Sequence, residues 1–432
     1  MAKKREVICK KIVAFAPCLL FESSWLQVCS STRKFRMFAP EKSGCLRNWG
    51  KLAKFASLLR TWLACRARQA FLYSRKKYTY TLGRHPLRKL LFPFSILYGL
   101  FMQLRNMAYT RGWKKRYRAE VPVISVGNIS TGGTGKTPVA EYLLALCAAQ
   151  GVRAAYLSRG YGRRSRGYLL VPPQAVAAVR YGDEALQVAR KFPNMAVAVC
   201  EDRRQGIRQL LATYRPRLII LDDAFQHRKV QRELDLLVID ANRLPTQDLV
   251  LPAGNLREFR SGLKRADLLI VNKLSSPAQI PAIRQALARY GRPLCFCRPV
   301  QLGIYHWEGR LLHAPGDFPG LAAVVFSGIG NNDFFVQQLA AAGIRVLATQ
   351  AYRDHYRYRS ADLEALCRLY ERWQHEQPLL LTTEKDRCRL LPLLEGERFG
   401  QLPFAYTAMG LEWLEGAHLL SGRLEALIKG RE

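Results

Sequence analysis

A glycine-rich loop between an apolar run and a helix-forming run constrains this chain more than any other feature. The segment VPVISV, residues 121–126, is apolar and β-branched, which predicts a buried strand. The loop GNISTGGTGKT follows, and Pro138 then suits the first turn of a helix, where the N–H that it lacks would have no partner. Strand, glycine-rich loop and helix, in this order, form the context in which a Walker A loop binds nucleotide phosphates. The sequence therefore predicts a P-loop.

The predicted loop assigns a role to each kind of residue in it. Its glycines let backbone N–H groups surround the phosphates, Lys136 brings a positive charge to the β- and γ-phosphates, and Thr137 offers a hydroxyl to Mg²⁺. Ser130 stands where the Walker A pattern has its first glycine, although the GGTGKT end is intact. We expect ATP and Mg²⁺ as cofactors. The predicted nucleotide-binding residues are Ser130, Thr131, Gly132, Gly133, Thr134, Gly135, Lys136 and Thr137.

The chain carries a strong positive charge, with a formal net charge of +35. Residues 1–84 alone hold 19 Lys and Arg against 3 Asp and Glu. Such a field attracts polyanions, which include nucleic acid, anionic lipid and phosphorylated substrates. The 11 cysteines include no C-x-x-C pair, which argues against a zinc site. Unpaired cysteines beside an ATP loop indicate a reducing, cytoplasmic setting.

Two segments precede the loop. We interpret residues 1–84 as a basic, poorly structured extension, because a signal peptide, which its first residues resemble, conflicts with a cytosolic ATP site. Residues 85–118 contain an uncharged run of 15 residues from Leu90 to Leu104, flanked by Lys and Arg. This run is shorter than the ~20 residues that span a bilayer. It predicts a segment that lies on an anionic membrane surface, although a core helix with basic ends fits its composition equally well.

From residue 119 onward, apolar runs alternate with helical stretches, which predicts an α/β fold with a mainly parallel sheet. Ligands of such sheets bind at the carboxyl ends of the strands. Asp222 and Asp223 end the run RLIILDD, as in a Walker B element that holds Mg²⁺, although a helix cap or a salt bridge uses the same residues. Asp183 opens a helical stretch, where an N-cap is the simpler interpretation, and His355 reads alone as a surface histidine.

Taken in order, several stretches of the chain resemble one family, the tetraacyldisaccharide 4′-kinases, which phosphorylate lipid A precursors in Gram-negative bacteria. This family tolerates a residue other than glycine at the start of its Walker A loop. The matching stretches lie between about residues 86 and 386 and are PFSILYGLFMQLRNMAY, VPVISVGNISTGGTGKTP, SRGYGR, GDEA, EDRRQG, LDDAFQHRK, LPAGNLRE, FSGIGNNDFF, DHY and TTEKD.

The resemblance implies a fold and a domain organisation. The fold is α/β, with a P-loop NTPase-like, mainly parallel sheet domain, a second, smaller α/β domain and an N-terminal membrane-associated helix. After the extension at 1–84, we place the membrane-associated interfacial segment at 85–118 and the P-loop kinase domain at 119–235. The second α/β domain, at 236–420, closes over the nucleotide cleft. Residues 421–432 form the end of the C-terminal helix.

The resemblance also implies a reaction and a location. The enzyme transfers the γ-phosphoryl group of ATP to the 4′-hydroxyl of a tetraacylated glucosamine disaccharide 1-phosphate. Its expected partners are this acylated lipid and an anionic membrane surface, with neither nucleic acid nor an obligate protein partner. Its expected location is the cytoplasmic face of the bacterial inner membrane, as a peripheral, monotopic protein.

The resemblance further assigns roles to residues, with Asp183 as the catalytic base and His355 as its partner across the cleft. The implied Mg²⁺ ligands are Thr137, Asp222, Asp223 and Gln226, and the further active-site positions are His227, Arg257 and Glu258. A regulatory GTPase is one rival function, because LLIVNKLS is similar to the guanine-binding N-K-x-D motif; Ser275, however, stands where that motif has Asp. A nucleic-acid-binding module is a second rival, which rests on charge alone.

Overall fold

Residues 90–395 and 397–430 are described by the computed structural model of this protein. The chain divides into two units, Met1–Tyr80 and Thr81–Glu432, and every described residue belongs to the second. The predicted basic extension at 1–84 therefore lies outside the described residues, as do residues 85–89 of the predicted interfacial segment.

One sheet of 13 strands runs through the described part of the chain. The strands are β1 (Val123–Gly127), β2 (Ala154–Ser158), β3 (Leu169–Leu170), β4 (Ala196–Val199), β5 (Leu218–Asp222), β6 (Leu234–Asp240), β7 (Leu268–Asn272), β8 (Leu294–His306), β9 (Leu311–His313), β10 (Ala322–Ser327), β11 (Arg345–Ala351), β12 (Leu379–Thr383) and β13 (Phe404–Glu415).

The strand order across the sheet is β11-β10-β12-β13-β8-β7-β6-β1-β5-β2-β4-β3, and β9 pairs with β8. Neighbouring strands are parallel except for three antiparallel pairs, β13–β8, β8–β9 and β3–β4. The α/β fold with a mainly parallel sheet, predicted from the alternation of apolar and helical runs, is confirmed. The predicted domain boundary between residues 235 and 236 falls within β6, which pairs with β1 of the P-loop. The division into a kinase domain and a second domain stays a prediction.

Helices connect most of the parallel strands, as right-handed crossover connections require. The α-helices are α1 (Phe92–Thr110), α2 (Lys136–Ala149), α3 (Ala178–Tyr181), α4 (Asp183–Lys191), α5 (Arg203–Thr213), α6 (Ile280–Leu287), α7 (Asn332–Ala341), α8 (Ser360–Glu371), α9 (Glu384–Leu394), α10 (Glu397–Gly400) and α11 (Ala417–Lys429).

The P-loop half of the sheet is covered on both faces. Ile124 of β1 packs into one core cluster with Leu143 of α2, whereas the preceding residue, Val123, packs into another with Ile207 of α5. Successive side chains of a strand point to opposite faces, so a strand between two layers of helices needs apolar residues at every position. This burial explains why β1 is apolar except at Ser125, which is itself buried.

Helix α1 has one buried and one exposed face. Pro93 lies in its first turn, where a missing N–H costs no hydrogen bond. Its buried residues are Ser95, Gly99, Met102, Asn106 and Tyr109, and its exposed apolar residues are Phe94, Leu97, Phe101 and Leu104. Among the described residues, no helix has the length and apolar character that crossing a membrane requires.

Candidate active site

The predicted P-loop joins β1 to α2, and parts of its backbone have a conformation that only glycine adopts easily. Gly132 has a φ of 98° and Gly135 a φ of 89°, both in the left-handed region. A Cβ atom on Gly135 would lie 2.1 Å from the amide nitrogen of Asn272. Ser130, where the Walker A pattern has glycine, is not among the residues with positive φ, so a side chain is tolerated there.

Two residues at the end of β7 hold the P-loop from the side. The side-chain amide of Asn272 donates a hydrogen bond to the backbone oxygen of Thr134 at 3.3 Å. The ammonium group of Lys273 donates to the backbone oxygen of Gly133 and to the carboxylate of Asp240, the latter at 3.0 Å. Asn272 and Lys273 are the N-K pair of the stretch LLIVNKLS, which made a GTPase a rival function. In the structure both residues contact the P-loop, and this contact was not predicted.

Asp222, at the end of β5, lies beside the first turn of α2. Its Oδ2 accepts hydrogen bonds from the hydroxyls of Thr137 at 3.2 Å and Tyr156 at 2.7 Å. Burial, followed by repulsion from Glu184, raises the pKa of Asp222 to about 6, although the positive charge of Lys136 opposes the shift. The protein balances the negative charge of this buried carboxylate only in part. Asp222 is therefore well placed, beside the Thr137 hydroxyl, to bind a cation.

Asp223 adopts a φ of 47° and faces two cations. Its Oδ1 lies 3.6 Å from the ammonium group of Lys136 and 2.9 Å from a guanidinium nitrogen of Arg257. Burial alone would raise the pKa of Asp223, but Lys136 and Arg257 lower it below its ordinary value. Three of the predicted site residues thus form one ion-paired group at the phosphate end of the P-loop.

Gln226 and Glu258 are oriented by other protein groups. The amide nitrogen of Gln226 donates to the backbone oxygen of Asn128 at 2.7 Å and to Glu258 at 3.0 Å, so only its amide oxygen is left to face Arg257 or a cation. Glu258 is buried and ion-paired with Arg265 at 2.7 Å. It also accepts a hydrogen bond from Asn106 of α1 at 2.7 Å. Glu258 therefore links the first helix to the loop that follows β5.

His227 is placed as a neutral imidazole. Its Nε2 is buried and has no hydrogen-bond partner within the described residues. Burial, followed by repulsion from the nearby Arg203, lowers the pKa of His227 to about 4. Arg203 is itself buried and donates to the backbone oxygen of Asp222 at 3.1 Å. A neutral imidazole at this position can donate or accept one hydrogen bond but carries no charge.

The structure brings Asp183 and His355 together. Asp183 is the first residue of α4, and its Oδ2 lies 3.0 Å from Nδ1 of His355. His355 has a φ of 57°, and its backbone N–H donates to the backbone oxygen of Gly328 at 3.1 Å. The ring of Tyr161 lies against the imidazole, with 4.9 Å between ring centroids. The pairing that the family resemblance implies is thus present in the geometry.

Two cations of α9 also reach Asp183, and the sequence did not single them out. Arg389 donates to Oδ2 of Asp183 from Nε at 3.0 Å and from a terminal nitrogen, and the ammonium group of Lys385 lies 3.9 Å from the same oxygen. Lys385 stands in the TTEKD stretch, whereas Arg389 lies one helical turn beyond it. Only the helical spacing of four residues could have indicated that both cations share a face.

The helix that begins at Asp183 packs beside the helix that follows the loop. Gln187 of α4 donates a hydrogen bond to Glu141 of α2 at 2.7 Å, and Glu184, next to Asp183, raises the pKa of Asp222 by repulsion. The site therefore combines a phosphate-binding loop, two carboxylates near the expected cation position, and a separate carboxylate paired with a histidine. This is the set of parts that phosphoryl transfer to a hydroxyl requires.

Comparison with known proteins shows the family of this chain. A family model for tetraacyldisaccharide-1-phosphate 4′-kinase matches residues 87–426. The chain belongs to this family. The tetraacyldisaccharide 4′-kinase of Chlorobaculum parvum is 37% identical over 353 residues, which cover 79% of this chain and 95% of that enzyme. The enzyme of the same name from Chlorobaculum tepidum is 36% identical over 352 residues, covering 79% and 97%.

A solved structure agrees with these relatives. The crystal structure of LpxK from Aquifex aeolicus in complex with ATP is similar to this chain, with a TM-score of 0.63 and 29% sequence identity over 79% of this chain and 99% of that chain. The predicted family, the enzyme class and the function as a lipid A 4′-kinase are confirmed. The family model begins at residue 87, close to the predicted end of the extension.

Proposed function

We propose that this kinase works at the cytoplasmic face of the inner membrane on a tetraacylated glucosamine disaccharide 1-phosphate, with Asp183 as the base that accepts the proton of the 4′-hydroxyl. One observation carries the assignment of the base: the carboxylate of Asp183 is 3.0 Å from the His355 imidazole, at the start of a helix that contacts α2. Family membership supports the acceptor, because the relatives are named for it.

The low basicity of Asp183 is compatible with this role. Burial raises its pKa, but the hydrogen bond from His355 and the charges of Lys385 and Arg389 lower it well below the ordinary value. The carboxylate is therefore ionised and can accept a proton at neutral pH. Catalysis of phosphoryl transfer depends mainly on positioning and on stabilisation of charge. The position of Asp183, and not its basicity, therefore supports its role as the base.

The residues near the P-loop fit a nucleotide-bound Mg²⁺. Among the described residues, no group of three or more His, Cys, Asp or Glu side chains forms a cage for a metal ion. Mg²⁺ in kinases needs no such cage, because it binds one or two carboxylates, a hydroxyl and the phosphates. Thr137 and Asp222 would hold the ion, with Asp223 and the amide oxygen of Gln226 close by. Bound there, Mg²⁺ neutralises charge on the phosphates.

Lys136 and Arg257 would also neutralise the negative charge of the phosphates. Lys136 begins α2, where backbone N–H groups also point toward a bound anion. Arg257 is held beside Lys136 by their shared contact with Asp223. Two fixed cations near the γ-phosphate stabilise the charge that develops there during transfer.

The exposed face of α1 would place the site at the lipid surface. Phe94, Leu97, Phe101 and Leu104 recur at intervals of three or four residues and form one apolar stripe. Such a stripe on a helix with basic neighbours binds an anionic membrane surface without crossing it. Through Asn106 and Glu258, the same helix contacts the loop after β5, so the site would lie close to an acylated substrate.

The test is ATP-dependent phosphorylation of a purified disaccharide 1-phosphate lipid in detergent, with the position of the new phosphate mapped by mass spectrometry and NMR. We expect one phosphate at the 4′-position for each ADP formed, and product formation about 100-fold slower or more with Asp183→Asn under the same conditions. ADP release without a phosphorylated lipid, or a preference for GTP, would contradict the proposal.

A further inference from the structure

The Asp183 carboxylate accepts more hydrogen bonds than a pair with His355 accounts for. Its Oδ1 accepts the backbone N–H of Glu184 at 3.1 Å, and its Oδ2 accepts Nδ1–H of His355 at 3.0 Å and Nε–H of Arg389 at 3.0 Å. A carboxylate oxygen has two in-plane lone pairs, so His355 and Arg389 occupy Oδ2 while Oδ1 keeps one lone pair. That lone pair is where a substrate hydroxyl can donate.

Arg389 is itself fixed on its other side. Its NH1 group donates to the backbone oxygen of Gly328 at 2.7 Å and to Asp386 at 2.8 Å. The buried Asp386 in turn accepts from the backbone N–H of Gly328 at 3.1 Å and from the hydroxyl of Thr383 at 2.7 Å. The guanidinium is thus a rigid bridge, with one edge on the loop after β10 and the other on the first residue of α4.

Arg389 also touches the histidine. A terminal nitrogen of its guanidinium lies 3.3 Å from Nδ1 of His355, so the two donors converge on one carboxylate oxygen. A carboxylate can only accept, so Nδ1 of His355 carries the proton in the tautomer that is bonded to Asp183. The imidazole and the guanidinium then both donate to the same carboxylate oxygen and hold it from two sides.

We propose that Arg389 is a positioning residue for phosphoryl transfer, which holds the Asp183 carboxylate ionised and in one orientation together with His355. The inference rests on the proposed role of Asp183 as the base. Arg389 lies on α9, whereas Asp183 lies on α4 and His355 on a loop. The arrangement around the base is therefore complete only when these three elements are packed together.

Charged groups from every element around Asp183 bear on this proposal. Two carboxylates near Asp183 each have a cation of α9 as a partner, because Glu184 is paired with Lys385 at 3.2 Å and Asp386 with Arg389 at 2.8 Å. Asp354 lies on the far side of His355, 3.9 Å from Nε2. Burial raises the pKa of Asp183, yet His355, Lys385 and Arg389 together lower it. Loss of the Arg389 charge should therefore raise it.

The decisive variant is Arg389→Met, which keeps much of the side-chain volume and removes the charge and the fork of donors. The acid limb of the kcat profile should move up by about one to three pH units, because an ion-paired carboxylate is typically shifted by that amount. At pH 7 we expect kcat to fall about tenfold or more, with a smaller change in the KM for ATP. Arg368→Met, on the exposed face of α8, is the matched control and should leave both unchanged.

Arg389→Lys separates charge from orientation. It keeps the charge but loses the two-donor fork, so the acid limb should stay near that of the wild type while kcat falls. A folded Arg389→Met enzyme with the wild-type acid limb and kcat would overturn the proposal. If the methionine variant does not fold, wild-type kcat in Arg389→Lys would do so.

A measurement without catalysis distinguishes this inference from the proposed function. Urea unfolding of the wild type, Asp183→Asn, Arg389→Met and the double variant forms a double-mutant cycle. Because the folded-state pKa of Asp183 is lowered, the stability from this contact is fully present above its unfolded value of about 3.9 and is lost progressively as pH falls from there through the lowered folded-state value. We expect non-additive urea midpoints at pH 7, with a stability contribution from this contact that is smaller near pH 3. Additivity at pH 7 would refute the Arg389 contact even if the kinase assay succeeds.

Discussion

Nδ1 of His355 lies 3.0 Å from Oδ2 of Asp183, although 172 positions of sequence separate the two residues. Neither residue is informative alone, since an Asp at the start of a helix is a common cap and a loop histidine is commonly solvated. The contact makes them a unit because the imidazole N–H fixes the orientation of the carboxylate. Their functional interpretation can therefore be tested as a unit.

Asp183→Asn should lower kcat by about 10²–10⁴-fold with little change in ATP affinity, because a positioned base is lost while the P-loop is intact. His355→Ala should cost less, since the imidazole only orients the base. The double variant should lose far less than the product of the two single losses, because residues that act as one unit are not additive. Steady-state kinetics and ATP binding of the three variants provide the measurement.

The control for Asp183→Asn is Asp333→Asn, an exposed Asp in the first turn of α7. It removes a helix-terminal carboxylate without touching the site, so its kcat should equal that of the wild type. Equal losses in the two variants would mean that Asp183 contributes only as a helix-terminal charge.

Lys136→Ala should lower kcat by about 100-fold or more, because the charge on the γ-phosphate loses its nearest fixed cation. The same change leaves Asp223 with Arg257 as its remaining close cation. The transfer of ³²P from labelled ATP to lipid is the measurement, with the exposed Lys429→Ala at the end of α11 as the control. Turnover at the wild-type rate would remove the P-loop lysine from the mechanism.

Asn272→Ala should raise the KM for ATP about fivefold, because a buried hydrogen bond that holds the P-loop is worth about 1 kcal/mol. The bond in question joins the Asn272 amide to the backbone oxygen of Thr134 at 3.3 Å. The same replacement at the exposed Asn194 should have no effect. An unchanged KM in Asn272→Ala would show that the loop keeps its shape without this contact.

The local patterns of the sequence were sufficient for the sheet and the loop. Each position of β1 is buried and all of its residues except Ser125 are apolar, and the left-handed backbone at Gly132 and Gly135 favours glycine. These features depend on neighbours in sequence. The domain boundary at residue 235, which the family resemblance implied, stays a prediction and falls within β6, which continues to residue 240. Charge and hydrophobicity do not reveal which half of a sheet a strand joins.

Arg389 illustrates what the sequence could not provide. Its contact with Asp183 spans 206 positions, and nothing in the residues around it distinguishes it from other arginines of a basic chain. Likewise, Glu258 could be named from family resemblance, but its pairing with Arg265 and Asn106 depends on how α1 packs. Tertiary geometry decides such contacts, whereas composition and spacing do not.

The exposed stripe of α1 should bind anionic lipid. Leu97→Arg combined with Phe101→Arg should reduce the partitioning of the protein into anionic vesicles about tenfold or more, because each exposed apolar side chain contributes about 1.5–3 kcal/mol when buried in lipid. Sedimentation with vesicles at matched salt measures the effect. ATP binding should be unchanged, since both side chains point away from the packed face.

The control for the stripe is Leu302→Arg, which charges an exposed leucine of β8 outside α1. Its partitioning should match that of the wild type. If the two variants partition equally well, the membrane contact does not involve α1.

Glu384→Gln should stabilise the protein, and the gain should grow with pH. Burial raises the pKa of Glu384 to about 7, even though Lys191 opposes the shift. Because the folded state binds this proton more tightly than the unfolded state, the stability of the wild type relative to the variant falls as pH rises from about 4.5 to about 7. Lys191 keeps Glu141 as a partner at 2.7 Å, so the variant leaves no unpaired cation.

Urea unfolding of Glu384→Gln should show a gain in the free energy of unfolding of about 1–3 kcal/mol at pH 8 and almost none at pH 5. The control is Glu371→Gln, an exposed residue at the end of α8, which should show no gain at either pH. A loss of stability at pH 8 would mean that the ion pair with Lys191 outweighs the cost of burying the carboxylate.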